Sequence, residues 1–375
     1  EGEGEGEGEG EGASLLVQWL DGGTLRTLND GDTLLIDQYS RMPSVSAEVS
    51  GGGENPPPFL IYAEVNYYAK KELRNQHGVV YWSDEFFYGP EFYAYDGFGP
   101  DIVLGTEYWE LPWWGEVRGG DITIHYKIEG YDPMALDFKI RGTNPNPSTV
   151  AAFAQQEVVF GDPAFWYLPA IIWHESRFKQ FNTAGTFLGQ PNWGWPNGWG
   201  MGQIDYGDSP VPAQYLWSWT ANMFKARDTM TDKIAAHKRY MKAVSEHHGE
   251  QYCDPFWSVY VDFRIGQTWY RLPMHETDIM KRYNGANYGT VTLNTSKGEI
   301  DYKYVWAFDP TEPDCGGEGG DGAQDVKWTY HGWTRVNTDG DTVGSEPPDP
   351  DKPDATKRNY IQHVLVDAAS VGLLP

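Results

Sequence analysis

Cysteine is nearly absent. The 375 residues hold only Cys253 and Cys315. There is no Cys-x-x-Cys pair and no His-Glu-x-x-His, which excludes the common zinc patterns. His174-Glu175 continues as Ser-Arg-Phe, and His247-His248 and His275 lack ligand-like companions. No metal site and no cofactor are expected. Cations are scarce as well: 28 Lys and Arg stand against 54 Asp and Glu, for a formal net charge of −26. A surface this acidic repels phosphates and anionic lipid heads, so nucleic acid is excluded as a partner. Long apolar runs are missing too. The longest, Ala164 to Trp173, is interrupted by Pro169 and falls short of the ~18 residues that span a bilayer.

The chain also lacks a basic stretch followed by an apolar one at its start. It opens instead with a Glu-Gly tract over residues 1–12, and its first residue is not Met. Either a leader has been removed or the tract is an engineered or placeholder segment. It reads as a flexible acidic tail, with an alternating edge strand as the alternative, and is set aside from the fold. Cys253 and Cys315 allow one disulfide closing a long loop, a constraint worth roughly 4 kcal/mol. Two buried thiols are the other possibility. The aromatic, acidic, lysine-poor composition is that of an exported protein and favours the bridge.

What is present is a wealth of core-formers. Hydrophobic residues make up 40%, with 17 Trp, 24 Tyr and 16 Phe, too many for a disordered chain. The length suggests about two to three domains. Residues 13–144 hold short strand-like runs: Leu15-Leu16-Val17, Thr33 to Ile36, Leu60-Ile61-Tyr62 and Val79 to Trp82. Turn clusters separate them, and 121–128 and 136–140 alternate at period two. This predicts a β-sandwich of immunoglobulin-like type. From about 145 the period changes. Helices are expected over 148–157, Leu168 to Gln180, Thr220 to His248 and Glu276 to Tyr283, with 301–306 as a further helical segment. So 145–310 reads as a mainly α domain. Residues 311–375 form an irregular, Gly/Pro/Asp-rich acidic region with one hairpin over 327–336 and a closing strand or helix at 358–373. Asp339 and Asp341 read as a plain acidic turn, because the full calcium-loop pattern is absent. The fold class is thus multidomain α+β.

Glu175 is the most informative residue. Leu168, Ile171, Ile172, Glu175 and Phe178 follow helical spacing and place a carboxylate in an apolar stripe. Burying a charge costs several kcal/mol unless it is compensated, and the usual response is a raised pKa. An acid protonated near neutrality can donate to a leaving oxygen. A plain ion pair with Arg177 or Lys179 is the bland alternative. Downstream, Gly198, Gly200 and Gly202 alternate with large residues and open the backbone to close approach. Gln203 and Asp205 follow, then Tyr283-Asn284 at a helix end.

These blocks resemble the lysozyme-like superfamily, specifically the soluble lytic transglycosylases and goose-type lysozymes. His174-Glu175-Ser176-Arg177-Phe178 is similar to their Glu-Ser pair. Gly200-Met201-Gly202-Gln203-Ile204-Asp205 is similar to their Gly-Leu-Met-Gln block, with the Asp a goose-type trait. Arg282-Tyr283-Asn284-Gly285-Ala286 and Tyr304-Val305 are similar to their Ala-Tyr-Asn-Ala-Gly block and Tyr-Val step. Trp217-Ser218-Trp219 and Asn222 look like a stretch seen in exported members. Gly202 stands where the family has Met, and Met201 where it has Leu, changes that affect the groove floor more than the acid.

The resemblance covers about 145–310. It implies an exported enzyme that cleaves the β-1,4 bond between N-acetylmuramic acid and N-acetylglucosamine in peptidoglycan. Glu175 would be the general acid and then base. Gln203, Tyr283 and Asn284 would orient it or the sugar, and Ser176 would be structural or hold the 2-acetamido group. Asp205 is either the second carboxylate of an inverting hydrolase, roughly 6.5–9.5 Å from the acid, or a helix cap or salt-bridge partner. Among the tryptophans, Trp193, Trp195 and Trp199 lie in a Gly/Pro/Asn-rich loop and are expected to contact glycan. Trp166 and Trp173 are expected in the core. A protein partner through the β-sandwich is a further expectation. The alternative function is a glycan-binding or structural component that keeps the fold without cleaving.

Overall fold

The structure is a computed structural model. It describes residues 14–50, 57–74, 80–93, 103–105, 108–113, 115–154, 156, 166–194, 197–207, 209–248, 250, 260–283, 290–295, 298–303, 306–308, 328–330, 335–336, 342–343 and 360–374. The described chain mixes strands and helices, with sheets towards its N-terminus. The helices are α1 (Pro147–Ala154), α2 (Leu168–Ser176), α3 (Ala213–Trp217), α4 (Trp219–His248), α5 (Met274–Tyr283) and α6 (Tyr360–Ala369). None of the described helices is long and apolar enough to cross a membrane.

Two compact units form. The first joins Glu1–Val150 to Phe178–Met223, and the second joins Ala151–Arg177 to Phe224–Pro375. The segment 178–223 belongs with the strands. The reason is packing: Phe181, Trp199, Val211, Leu216 and Trp217 join one buried cluster with strand residues such as Ile61, Ile122 and Phe138.

In the first unit, β1 (Ser14–Asp21), β2 (Thr24–Thr27), β3 (Thr33–Ile36) and β4 (Val45–Ser50) lead into a long hairpin, β5 (Phe59–Arg74) and β6 (Val80–Tyr93). Then come β7 (Val103–Gly105), β8 (Tyr108–Glu110), β9 (Gly120–Ile128) and β10 (Met134–Gly142). One sheet runs β2-β1-β4-β8; the other runs β3-β10-β9-β5-β6, with β7 also on β5. All pairings are antiparallel except β3 with β10. The period-two expectation holds in β9, where buried Ile122 and Ile124 alternate with more exposed neighbours. Gly22 and Gly23 both have positive φ, as the two-residue turn between β1 and β2 requires. The expectation of uniformly short strands is corrected: β5 spans 16 residues and β6 spans 14.

Other expectations also shift. The helix foreseen to Gln180 ends at Ser176, because Arg177 and Phe178 both take the left-handed conformation at φ 57. Phe178 therefore leaves the stripe of Glu175 and joins the first unit. Residues 301–303 and 306 of the expected helical segment are strand instead, in the pairs Thr290–Thr295 with Gly298–Lys303 and Trp306–Phe308 with Trp328–Tyr330. The run Ile300-Asp301-Tyr302-Lys303 alternates apolar and polar, a strand period rather than a helical one. With the hairpin Tyr260–Ile265/Thr268–Pro273, the described residues of 145–310 carry strands as well as helices. The hairpin placed over 327–336 is replaced, since Arg335–Val336 pairs with Thr342–Val343. The closing element is α6, whose Ile361, Val364, Leu365 and Ala368 are buried at helical spacing.

Candidate functional site

Glu175 lies in the last turn of α2. Leu168, Ile171 and Ile172 bury the helix, while Glu175 is half-buried. Pro169 sits in the first turn, where its missing N–H costs no intrahelical bond. The Ser176 hydroxyl is buried and donates to the Ile172 carbonyl at 3.1 Å. Of its two expected roles, this is the structural one.

The partner of Glu175 comes from far along the chain. Tyr360, at the start of α6, donates its hydroxyl to Glu175 Oε1 at 2.7 Å. Burial raises the Tyr360 phenol well above its ordinary value, and the Glu175 charge and hydrogen bond raise it further. Tyr283, at the end of α5, is raised in the same way, first by burial and then by the Glu175 charge. Both phenols therefore remain protonated donors through the physiological range. Lys281, 1% exposed, places its ammonium 5.1 Å from the centre of the Tyr360 ring.

The second unit holds two further polar groups. His174 Nδ1 is 2.6 Å from Asp367 Oδ2, and Arg177 Nη2 is 2.9 Å from the same oxygen. Partial burial opposes ionisation of Asp367, but the hydrogen bonds and charges of His174 and Arg177 outweigh it and hold the carboxyl below its ordinary value. Deeper in, Asp278 Oδ2 accepts from both His237 Nδ1 and Arg282 Nε at 2.7 Å. Burial acts against that charge as well, and its two partners again bring the carboxyl below 3.8. Glu276, on α5, behaves oppositely. Burial raises it, and the hydrogen bond from Trp166 offsets this only in part. Trp166 thus has a polar partner beyond the core role expected of it.

The Gly-Met-Gly-Gln block belongs to the first unit. Strands β11 (Trp193–Gly194) and β12 (Gly198–Trp199) pair Trp193 with Trp199 and Gly194 with Gly198. Trp199 then closes a turn with Ile204 through two 3.0 Å backbone hydrogen bonds. At the tip Gly200 has φ 68 and Gln203 has φ 50. The Gln203 amide folds back to donate to the Gly200 carbonyl at 2.8 Å. It lies directly over Gly194 and Gly198, where a Cβ would run into its Oε1. The glycines here make room for a side chain of the protein itself.

Two amides, each 0% exposed, hold this turn from beneath. Gln180 Oε1 accepts from the Met201 N–H, and Asn222 Oδ1 accepts from the Gly202 N–H, at 2.9 and 2.6 Å. Their Nε2 and Nδ2 groups donate to the carbonyls of Tyr215 and Leu216, and of Trp199 and Tyr215. Every backbone group so engaged is inside the unit, where an unpaired one would cost on the order of 1–3 kcal/mol.

Two expected site residues change role here. Trp199 is 2% exposed and part of the hydrophobic core, so its ring faces are covered by protein. Trp193 is half-buried against the same core. Asp205 is exposed, and its Oδ1 accepts from Asn197 Nδ2 at 2.8 Å and from the Gly207 N–H at 2.7 Å. These bonds are those of a turn-capping side chain, neither the helix cap nor the salt bridge expected for Asp205. Trp195, Asn284, Tyr304, Val305, Asp339, Asp341, Cys253 and Cys315 lie outside the described residues.

The structure thus brings Glu175 and Tyr283 into one unit, with Gln203, Asp205 and the tryptophans of the loop in the other. It adds Tyr360, Asp367 and Gln180, which sequence reading missed. The signal for Tyr360 was a second aromatic–β-branched step, Tyr360-Ile361, opening an amphipathic segment. Among the described residues no group of three or more His, Cys, Asp or Glu is arranged to hold a metal. A comparison with protein-family models and with curated proteins finds no match.

Proposed function

We propose that the protein is a peptidoglycan-cleaving enzyme with Glu175 as its only catalytic carboxylate, and that it works as a lytic transglycosylase. The observation that carries this is the setting of Glu175: a half-buried carboxylate accepting a phenolic hydrogen bond from Tyr360 and close enough to Tyr283 for its charge to raise that phenol too. Two neutral phenols beside one carboxylate, one of them donating to it, can orient it and stabilise it once its proton has gone to the leaving oxygen. The ordered blocks around Glu175, Gln203 and Tyr283 supply the substrate class through their resemblance to lysozyme-like enzymes.

Glu175 gives its proton to the bridging oxygen as the bond from C1 of N-acetylmuramic acid breaks. The C6 hydroxyl of the same sugar then attacks C1 and returns its proton to Glu175, leaving a 1,6-anhydro end. This scheme needs no second carboxylate. The double hydrogen bond at Asp205 Oδ1 favours it over an inverting hydrolase, where that group would have to activate water. The strands before this segment would form an immunoglobulin-like sandwich domain, and export to the cell wall follows from the substrate.

Mass spectrometry of muropeptides released by the native protein and by Glu175→Gln tests the reading. Anhydro-muramyl ends from the native protein alone are expected. Reducing ends would make the enzyme a hydrolase. No product from the native protein over a broad pH range would replace the enzyme by a glycan-binding component of the same fold.

A further inference from the structure

Helix α6 carries two polar side chains to the C-terminal end of α2. Tyr360 and Asp367 are two helical turns apart, so they share a face and are separated by about 10 Å along the axis. Tyr360 meets Glu175 at 2.7 Å. Asp367 meets His174, the residue before Glu175, at 2.6 Å, and Arg177 at 2.9 Å. The gap between the two contacts is filled by the His174 ring, edge-on to Tyr360 with centroids 5.3 Å apart. Arg177 is in turn steadied over the Trp173 ring at 5.5 Å.

Most of the remaining α6 attachment is apolar, apart from the Lys281 ammonium over the Tyr360 ring and the His363 ring beside His174. Ile361, Val364, Leu365 and Ala368 are buried, and apolar contact is non-directional. It holds the helix down without specifying its rotation to a fraction of an ångström. A ten-residue helix is also too short to be stable alone. The directional contact at its far end adds the register: one carboxylate oxygen takes two charge-assisted donors, from His174 of α2 and from Arg177 just beyond it.

We infer that Asp367 is a positioning residue. Its clamp on His174 and Arg177 fixes α6 on α2 and thereby seats the Tyr360 hydroxyl on Glu175. The inference rests on Glu175 being the cleaving acid, and its test separates the two.

The experiment compares the native protein, Asp367→Asn, Tyr360→Phe and the double variant on solubilised glycan strands. Asp367→Asn keeps the shape and removes the charge. It is expected to lower kcat about tenfold with an unchanged apparent KM. On the Tyr360→Phe background the same change is expected to cost less than about twofold, because the donor it positions is gone. Asp367→Glu should restore part of the loss. Hydrogen exchange read by mass spectrometry supplies the second measurement: α6 amides should exchange faster in Asp367→Asn while those of α4 do not. Equal losses on both backgrounds, or unchanged α6 protection, would overturn the inference. Faster α6 exchange in a protein that cuts no glycan would uphold the clamp and discard the activity.

Discussion

The Tyr360 hydroxyl lies 2.7 Å from Glu175 Oε1, although 185 residues separate the two in sequence. Tyr360 →Phe removes this donor and nothing else of comparable size. A hydrogen bond to a charged group contributes about 1.5–3 kcal/mol, so glycan cleavage should fall about 10- to 100-fold. Muropeptide release at fixed enzyme concentration measures it, with circular dichroism as the check that the fold persists. An unchanged rate would remove Tyr360 from the site.

Gly194 carries a different prediction. A methyl group there meets the Gln203 amide, the far end of a flexible side chain. Gly194→Ala should therefore change thermal stability by less than about 1 kcal/mol. It should displace the Gln203 amide from the Gly200 carbonyl. Melting temperature and the side-chain amide resonances of Gln203, measured on one preparation, test both halves. A large loss of stability with the Gln203 amide unmoved would show that the glycine serves the backbone alone.

The amides beneath the same turn should behave in the opposite way. Asn222→Ala leaves the Gly202 N–H without its buried partner and removes one of the two donors to each of the Trp199 and Tyr215 carbonyls. A loss of about 1–3 kcal/mol is expected in urea unfolding, with little change in the slope of the transition. Gln180→Ala should cost a similar amount for the same reason. A change within the error of the wild-type midpoint would mean that water replaces the amides without penalty.

The second unit should be acid-sensitive. Asp278 is fully buried, and its partners hold it below its ordinary 3.8. A carboxyl depressed in the folded state contributes stability in full above its unfolded value. That contribution is lost as pH falls through the folded value. Melting temperature should thus hold from neutrality to about pH 5 and fall below about pH 4. Asp278→Asn should flatten that fall and cost about 3–5 kcal/mol near neutrality, where it leaves His237 and Arg282 without their carboxylate. Thermal scans between pH 3 and 7 on both proteins decide it. Parallel curves would assign the acid sensitivity elsewhere.

Much of this protein was determined by local sequence. The period-two runs became β9 and β10, the Gly22-Gly23 pair became a tight hairpin turn, and the Ala-, Met- and Lys-rich stretch became α4 within one residue of its expected start. These follow from φ/ψ preferences and side-chain alternation, which act over a few neighbours. Glu175 was visible because a carboxylate interrupts the apolar stripe of Leu168, Ile171 and Ile172.

The tertiary structure decided what depends on partners distant in the chain. Nothing local marks Phe178 as the point where the chain leaves α2, since the left-handed turn at Arg177 and Phe178 is held by packing rather than by glycine. Trp199 looked like a loop tryptophan open to sugar, yet it is buried, because the loop folds onto the strand core and its polar backbone is satisfied by Gln180 and Asn222. Tyr360 and Asp367 reach Glu175 and its neighbours only once α6 packs back on α2. Which residues share a site is settled by long-range burial, where hydrophobic area outweighs the entropy of closing long loops. That balance is struck between residues far apart in sequence, and so it cannot be read from any one stretch.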